Sequence, residues 1–287
     1  MRIYLPMPGN DTMAQALASR FSAETGVVDM RRFPDAEIYV RLASDVAGKD
    51  VDLVCTLAKP DEQFLGLIFA ADTAREMGAR TVNLVAPYLA YMRQDKRFKD
   101  GEAISSVHFA RLLSASFDSL VTVDPHLHRR HSLDEIFTIR TRVEHAAPLL
   151  ASWIRDNVDS PLVIGPDAES EQWVSAVARV ANAPHVVLNK QRFGDRHVEI
   201  AMPDLRQWSG RRPVLIDDIV SSGRTMIEAA HQLATQGLAK PYCLAVHALF
   251  AEQSYAELLA LSERIVSTDT IPHASNAISV TELLGPG

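Results

Sequence analysis

Cysteine is nearly missing from this chain. Cys55 and Cys243 are its only two, far apart in sequence and each inside an apolar run. That pattern excludes a disulfide framework and predicts a reducing, cytoplasmic setting. No apolar run approaches the ~18 residues that a membrane span needs. The N-terminus lacks a basic stretch followed by an apolar core, so neither a membrane partner nor a secretory signal is expected. Positive charge is in deficit: the formal net charge is −7, which argues against broad nucleic-acid binding. An anionic substrate would therefore need a local basic site. Pro/Gly-rich linkers and low-complexity tracts are absent as well. So are G-x-x-x-x-G-K-[ST] and G-x-G-x-x-G, which excludes a P-loop kinase and a dinucleotide dehydrogenase.

What is present is a globular composition, 47% hydrophobic and 23% charged, in a chain long enough for about two domains. Strand and helix patterns alternate throughout. Apolar runs predict strands over 2–5, 51–57, 81–86 and 119–124, with helices over 11–25, 61–77 and 105–116 between them. A second series follows residue 145, with strands over 162–165, 185–189, 213–216, 242–248 and 265–268. Its helices fall over 145–157, 170–181, 226–236 and 253–261. Such alternation predicts an α/β fold with mostly parallel sheets, in two similar units over 1–143 and 144–287.

One stretch carries most of the chemistry: Ile216, Asp217, Asp218, Ile219, Val220, Ser221, Ser222, Gly223, Arg224, Thr225. It reads as a buried strand ending in two carboxylates, then a small-residue loop, then a helix. A loop feeding a helix start exposes unpaired N–H groups, and the helix dipole favours an anion there. Carboxylates accept hydrogen bonds from sugar hydroxyls. Together they suggest a sugar phosphate. The stretch resembles the phosphoribosyl pyrophosphate motif of type I phosphoribosyltransferases and the ribose-5-phosphate loop of ribose-phosphate diphosphokinases.

Other segments resemble the diphosphokinases specifically. Pro87, Tyr88, Tyr91, Arg93, Gln94 and Asp95 are similar to the family's P-Y-x-x-Y-x-R-Q-D segment. Phe33, Asp35 and Glu37 match its R-F-x-D-x-E stretch, and Asp124-Pro125-His126 its D-L-H. Gly165-Pro166-Asp167 resembles its P-D segment, Lys190 and Arg192 the K-x-R of its mobile catalytic loop, and Thr268-Asp269-Thr270-Ile271-Pro272 its T-N/D-T-I-P. His126, His128 and His131 lack Cys or Glu ligands at matching spacing, which argues against zinc.

The resemblance implies two tandem type I phosphoribosyltransferase-like domains with central, mostly parallel sheets. The N-terminal one would bind ATP and the C-terminal one ribose 5-phosphate. The implied reaction transfers the diphosphoryl group of ATP to the anomeric hydroxyl of ribose 5-phosphate. Phe33, Asp35, Glu37, Arg93, Gln94 and His126 would bind ATP. Asp217 and Asp218 would hold the ribose hydroxyls, while Ser221, Ser222, Gly223, Arg224 and Thr225 cradle the 5-phosphate. His126 and Asp167 would place Mg2+, and Lys190 and Arg192 would be catalytic. A homodimer or higher homo-oligomer is implied.

The chain departs from the family in places. Ala168-Glu169-Ser170 replaces a glycine pair, Ser221 replaces an Asp and Arg224 a Gly. The E-S-V-R-G effector stretch is replaced by Ser44-Asp45-Val46-Ala47-Gly48, so weak or absent phosphate activation and ADP inhibition are expected. Two rivals stay open: a phosphoribosyltransferase using phosphoribosyl pyrophosphate, and a non-catalytic regulatory homologue.

Overall fold

The computed structural model describes all residues except His128, 167–169, 194–196, Met202, Glu252 and Gly287. The side chains of Gln172, 189–193 and 197–201 also lie outside the description. The chain divides into two compact units, Met1–Glu144 with Val280–Gly287, and His145–Ser279. The last eight residues return to the first unit. They return because Leu284 buries its side chain there and the Arg142 guanidinium donates to the Gly285 carbonyl.

The first unit carries β1 (Arg2–Pro6), α1 (Asp11–Phe21), β2 (Glu24–Thr25), β3 (Val28–Arg32), β4 (Ile38–Leu42) and β5 (Asp50–Val54). These are followed by α2 (Pro60–Glu76), β6 (Thr81–Ala86), α3 (Ser105–Ser116), β7 (Ser119–Val123) and β8 (Arg140–Glu144). Its sheet has the order β2-β1-β5-β6-β7-β8, with every pair parallel. The first helix stops earlier than the spacing predicts. Ser22 takes a left-handed φ of 52° and closes the helix with its amide on Ala18, which frees Glu24 and Thr25 to pair with β1.

The second unit carries α4 (Ala147–Asn157), β9 (Pro161–Gly165), α5 (Glu171–Ala181), β10 (His185–Val187), β11 (Asn189–Phe193), β12 (His197–Ala201) and β13 (Arg212–Val220). Then come α6 (Arg224–Thr235), β14 (Tyr242–Ala248), α7 (Ser254–Leu261), β15 (Arg264–Thr268) and β16 (Asn276–Ile278). Its sheet order, β10-β9-β13-β14-β15-β16, repeats that of the first unit. Each unit also inserts an antiparallel hairpin at the same topological place, β3–β4 in one and β11–β12 in the other. Both hairpins escaped the sequence reading, although Pro34-Asp35 and Gly194-Asp195 are turn signals between their strands.

In each sheet the crossovers reverse direction once, between β1 and β5 and between β9 and β13. Open parallel sheets bind ligands at the carboxyl ends of the strands flanking such a reversal. The strands there are fully buried: Leu53 and Val54 in one unit, Val214, Leu215 and Ile216 in the other. In the second unit Met226, Ala229, Ala230 and Leu233 of α6 pack onto the sheet core. Leu233→Ala would leave a cavity costing about 2–5 kcal/mol. Cys55 and Cys243 are buried free thiols, each pushed up to about 12 by burial. Among the described residues no helix is long and apolar enough to cross a membrane.

Candidate active site

β13 outruns one neighbour. It pairs with β9 only from Arg212 to Leu215, while β14 accompanies it to Val220. The strand therefore runs through the paired acids instead of ending at them, because one side of the ladder persists. Asp217 and Asp218 are half-buried on this overhang, where carboxylates keep part of their hydration and avoid the cost of a dry core. Asp217 Oδ1 accepts the Asp218 amide at 3.0 Å, and Asp218 Oδ1 the Ile219 amide at 2.7 Å.

Beyond Val220 the chain turns through Ser221 and Ser222 to Gly223, which has a left-handed φ of 66° and stands at the N-cap of α6. Glycine accepts that conformation without strain and brings no side chain to occupy the first-turn amides. α6 has no acid in its first turn. Arg224 is exposed at its first position, a cation set against the sense of the helix dipole. Open amides, the dipole and this guanidinium all favour an anion. Behind the loop, Phe250 stacks on His273 at 4.9 Å and meets Tyr255 at 5.2 Å. Desolvation lowers the His273 pKa.

At the other end of the same sheet reversal, Gly165 closes β9. A Cβ there would lie 2.5 Å from Ser170 Oγ and 2.6 Å from Val174 Cγ2, so only glycine lets α5 pack this close. Asp167 follows it, outside the described residues. Lys190 and Arg192 lie on β11, in register with Ile200 and Val198 of β12; their side chains are likewise outside the description.

In the first unit, Phe33, Asp35 and Glu37 form the tip of the β3–β4 hairpin. Asp35 Oδ1 accepts the Glu37 amide at 3.2 Å, and the Phe33 amide donates to the Glu37 carbonyl at 2.8 Å. Phe33 is 39% exposed. Its ring meets Tyr39 edge-on at 6.1 Å, and the Arg31 guanidinium lies 4.7 Å from it. Arg32 anchors the tip to α2 through the Glu62 carbonyl at 3.1 Å. Beside the hairpin, a cavity of about 340 Å³ opens between the ends of β1 and β5, with Met7, Arg31, Arg32, Lys59 and Gln63 in its wall.

Arg93 and Gln94 follow β6 and His126 follows β7, on the same carboxyl edge. Ser105 Oγ donates to Gln94 Oε1 at 2.7 Å. Asp95 joins the two loops: Arg129 Nη1 sits 2.8 Å from its carboxylate, whose side chain is 5% exposed, and Arg130 donates to its carbonyl at 3.4 Å. His126 is half-buried and His131 exposed.

Comparison with known proteins decides the family. Residues 3–116 match the N-terminal domain of ribose phosphate pyrophosphokinase, and residues 132–281 match the phosphoribosyl transferase domain. A ribose-phosphate pyrophosphokinase of Methanopyrus kandleri is 36% identical over 272 residues, 93% of this chain and 92% of that protein. One from Thermoplasma acidophilum is 31% identical, over 97% of this chain and 95% of its own. The chain belongs to the ribose-phosphate pyrophosphokinase family. Its fold is that of the phosphoribosylpyrophosphate synthetase from Mycobacterium smegmatis, with a TM-score of 0.86 at 21% identity, covering 99% of this chain and 96% of that one.

Of the residues singled out for a ribose-phosphate pyrophosphokinase, the structure places Asp217 and Asp218 near the end of β13, and residues 221–225 in the connection that follows and the first turn of α6. It places Arg93, Gln94 and His126 on one edge of the first sheet, with the Phe33 hairpin tied to the helix that starts there. The linking role of Asp95 and the cover that Arg31 gives Phe33 went unread. Asp95 stood in a quoted motif, and Arg31 stood two residues before a flagged aromatic.

Proposed function

We propose that this chain transfers the β,γ-diphosphoryl group of ATP to the anomeric hydroxyl of ribose 5-phosphate, giving phosphoribosyl pyrophosphate and AMP. The observation that carries this reading is the overhanging Asp217–Asp218 pair feeding an acid-free, glycine-capped helix start, in a chain of which the Methanopyrus kandleri ribose-phosphate pyrophosphokinase covers 93%.

The sugar oxygen attacks the β phosphorus and the bond to the α–β bridging oxygen breaks, so that AMP leaves and the hydroxyl proton is released. Such transfers depend on positioning and charge neutralisation. Asp217 and Asp218 accept from the ribose hydroxyls, which orients the anomeric carbon. The Ser221, Ser222, Gly223, Arg224 and Thr225 turn holds the 5-phosphate. In the first unit Phe33 packs on adenine, Asp35 and Glu37 take its polar edge, and Arg93, Gln94 and His126 hold the triphosphate. Lys190 and Arg192 neutralise the transferring group. Mg2+ fits a carboxylate such as Asp167, since a small hard cation prefers oxygen donors and retained water. His126, a nitrogen donor, suits the ion's water shell or a phosphate oxygen. Such an ion, when bound, would supply further neutralisation of the diphosphate. Assembly as a homodimer or higher homo-oligomer in the cytoplasm goes with this reading.

The test is a product assay with ATP, ribose 5-phosphate and Mg2+ that resolves AMP from ADP. AMP and a sugar diphosphate formed one for one is the expected result. ADP, or turnover only with a nucleobase and phosphoribosyl pyrophosphate, would overturn the proposal.

A further inference from the structure

Leu249, Phe250, Ala251 and Ser254 grip the loop after β13 from behind. The amides of Leu249 and Phe250 donate to the Val220 carbonyl at 3.0 and 2.9 Å, and the Ala251 amide donates to the Ser221 carbonyl at 2.9 Å. Ser254, buried at the start of α7, adds the side chain to this grip. Its hydroxyl bridges the Ser221 carbonyl at 3.2 Å and the Ala251 carbonyl at 2.7 Å. A trans peptide holds each C=O opposite the N–H that follows it. Fixing the carbonyls of Val220 and Ser221 toward the turn therefore aims the amides of Ser221 and Ser222 the other way. That is the cradle an oxyanion needs, formed before the ligand arrives.

Packing confirms how closely the two segments fit. A Cβ on Gly223 would lie 3.1 Å from Ser254 Cβ. Phe250 holds a left-handed φ of 24°, and its stack on His273 at 4.9 Å braces the turn from its far side. Ser254, Phe250 and His273 all lie outside the motif that marks the site.

We propose that Ser254 is a positioning residue for the sugar phosphate, acting through the Ser221 carbonyl; this rests on the reading of residues 221–225 as the 5-phosphate loop. Its hydroxyl proton, shared between two carbonyls, keeps the loop in its anion-binding form while the turn's amides do the rest.

The experiment is steady-state kinetics of Ser254→Ala and Ser254→Thr beside wild type, with both substrates varied and AMP as the readout. Ser254→Ala should raise KM for ribose 5-phosphate about 5-fold, the scale of one hydrogen bond. Its kcat and its KM for ATP should stay within about twofold, and Ser254→Thr, which keeps the hydroxyl, should restore the sugar-phosphate KM. An unchanged KM for ribose 5-phosphate, or an equal rise in both KM values, would overturn the inference while leaving the activity standing. A wild type that forms no AMP would overturn the functional reading and this inference with it. Calorimetric titration of the folded Ser254→Ala variant with ribose 5-phosphate gives a second measure, where the same weakening is expected.

Discussion

The two units repeat one topology and spend its equivalent turn differently. In each, the first central strand past the sheet reversal leads into a helix, β5 into α2 and β13 into α6. α2 starts with Pro60, which has no amide proton, and carries Asp61 and Glu62 in its first turn. The Lys59 amide beside them is taken by Gln63 Oε1 at 2.9 Å. That helix start satisfies itself and repels an anion. α6 starts after Gly223, has no first-turn acid, and carries Arg224 and Thr225. The same backbone position is thus closed in one unit and open in the other. On the proposed reading, the first unit would draw its polar groups from the β3–β4 hairpin and from the loops after β6 and β7 instead. Topology supplies a place for a ligand, and a handful of residues at the helix start decides whether a phosphate can use it.

The comparison can be broken most sharply at the paired hairpins. If the second hairpin supplies the charge that stabilises transfer, Lys190→Ala should lower kcat by about 100-fold or more, as for other preorganised donors. Near-normal turnover would remove that role. Making α6 resemble α2 is the next largest change. Thr225→Glu should raise KM for ribose 5-phosphate about 50-fold by placing a carboxylate where the phosphate sits. The same change should raise the melting temperature slightly, because an acid in the first turn suits the dipole. Arg224→Ala sharpens the same point, with a KM for ribose 5-phosphate higher by roughly 5-fold and a ligand-free protein at least as stable as wild type. In the first unit, Asp95→Ala should loosen the link to Arg129 and raise KM for ATP about 5-fold, with KM for ribose 5-phosphate unmoved. Parallel rises in both would mean that Asp95 acts on the whole fold.

The smallest effect is on pH. Burial against Phe250 and Tyr255 lowers the folded-state pKa of His273. The unfolded chain, with a histidine near pH 6.5, then binds a proton that the folded chain resists. This group's contribution is intact above about pH 6.5 and is lost as pH falls below it. Urea midpoints of wild type and His273→Gln should therefore converge as pH drops from 7 to 5. A constant difference would show that His273 does not titrate in this window.

Much of the second unit's site was legible because its parts are contiguous. An apolar strand, two acids, small residues and a helix pattern adjoin in the chain, and each local preference agrees with the others. The first unit's site was legible only through its resemblance to a family. Phe33, Arg93 and His126 belong to segments far apart in sequence, and composition alone would have read Phe33 as core. The two hairpins were missed because their strands are only five residues long and two of them, β3 and β11, show little apolar pattern. The register that makes them is a pairing between strands, visible only when both are in place.

The sequence by itself determined the α/β class, the order of central strands and helices, the small-residue turn that leads into α6 and the absence of disulfides. These follow from hydrophobic spacing and from the local chemistry of glycine, acids and helix starts. Only the tertiary structure decided that β13 overhangs β9 and so leaves Asp217 and Asp218 in contact with water. It alone decided that residues 280–287 return to the first unit, and that Ser254, 33 residues beyond Ser221, holds the loop carbonyl. Each of these depends on where a distant segment comes to rest, which packing sets and local sequence does not encode.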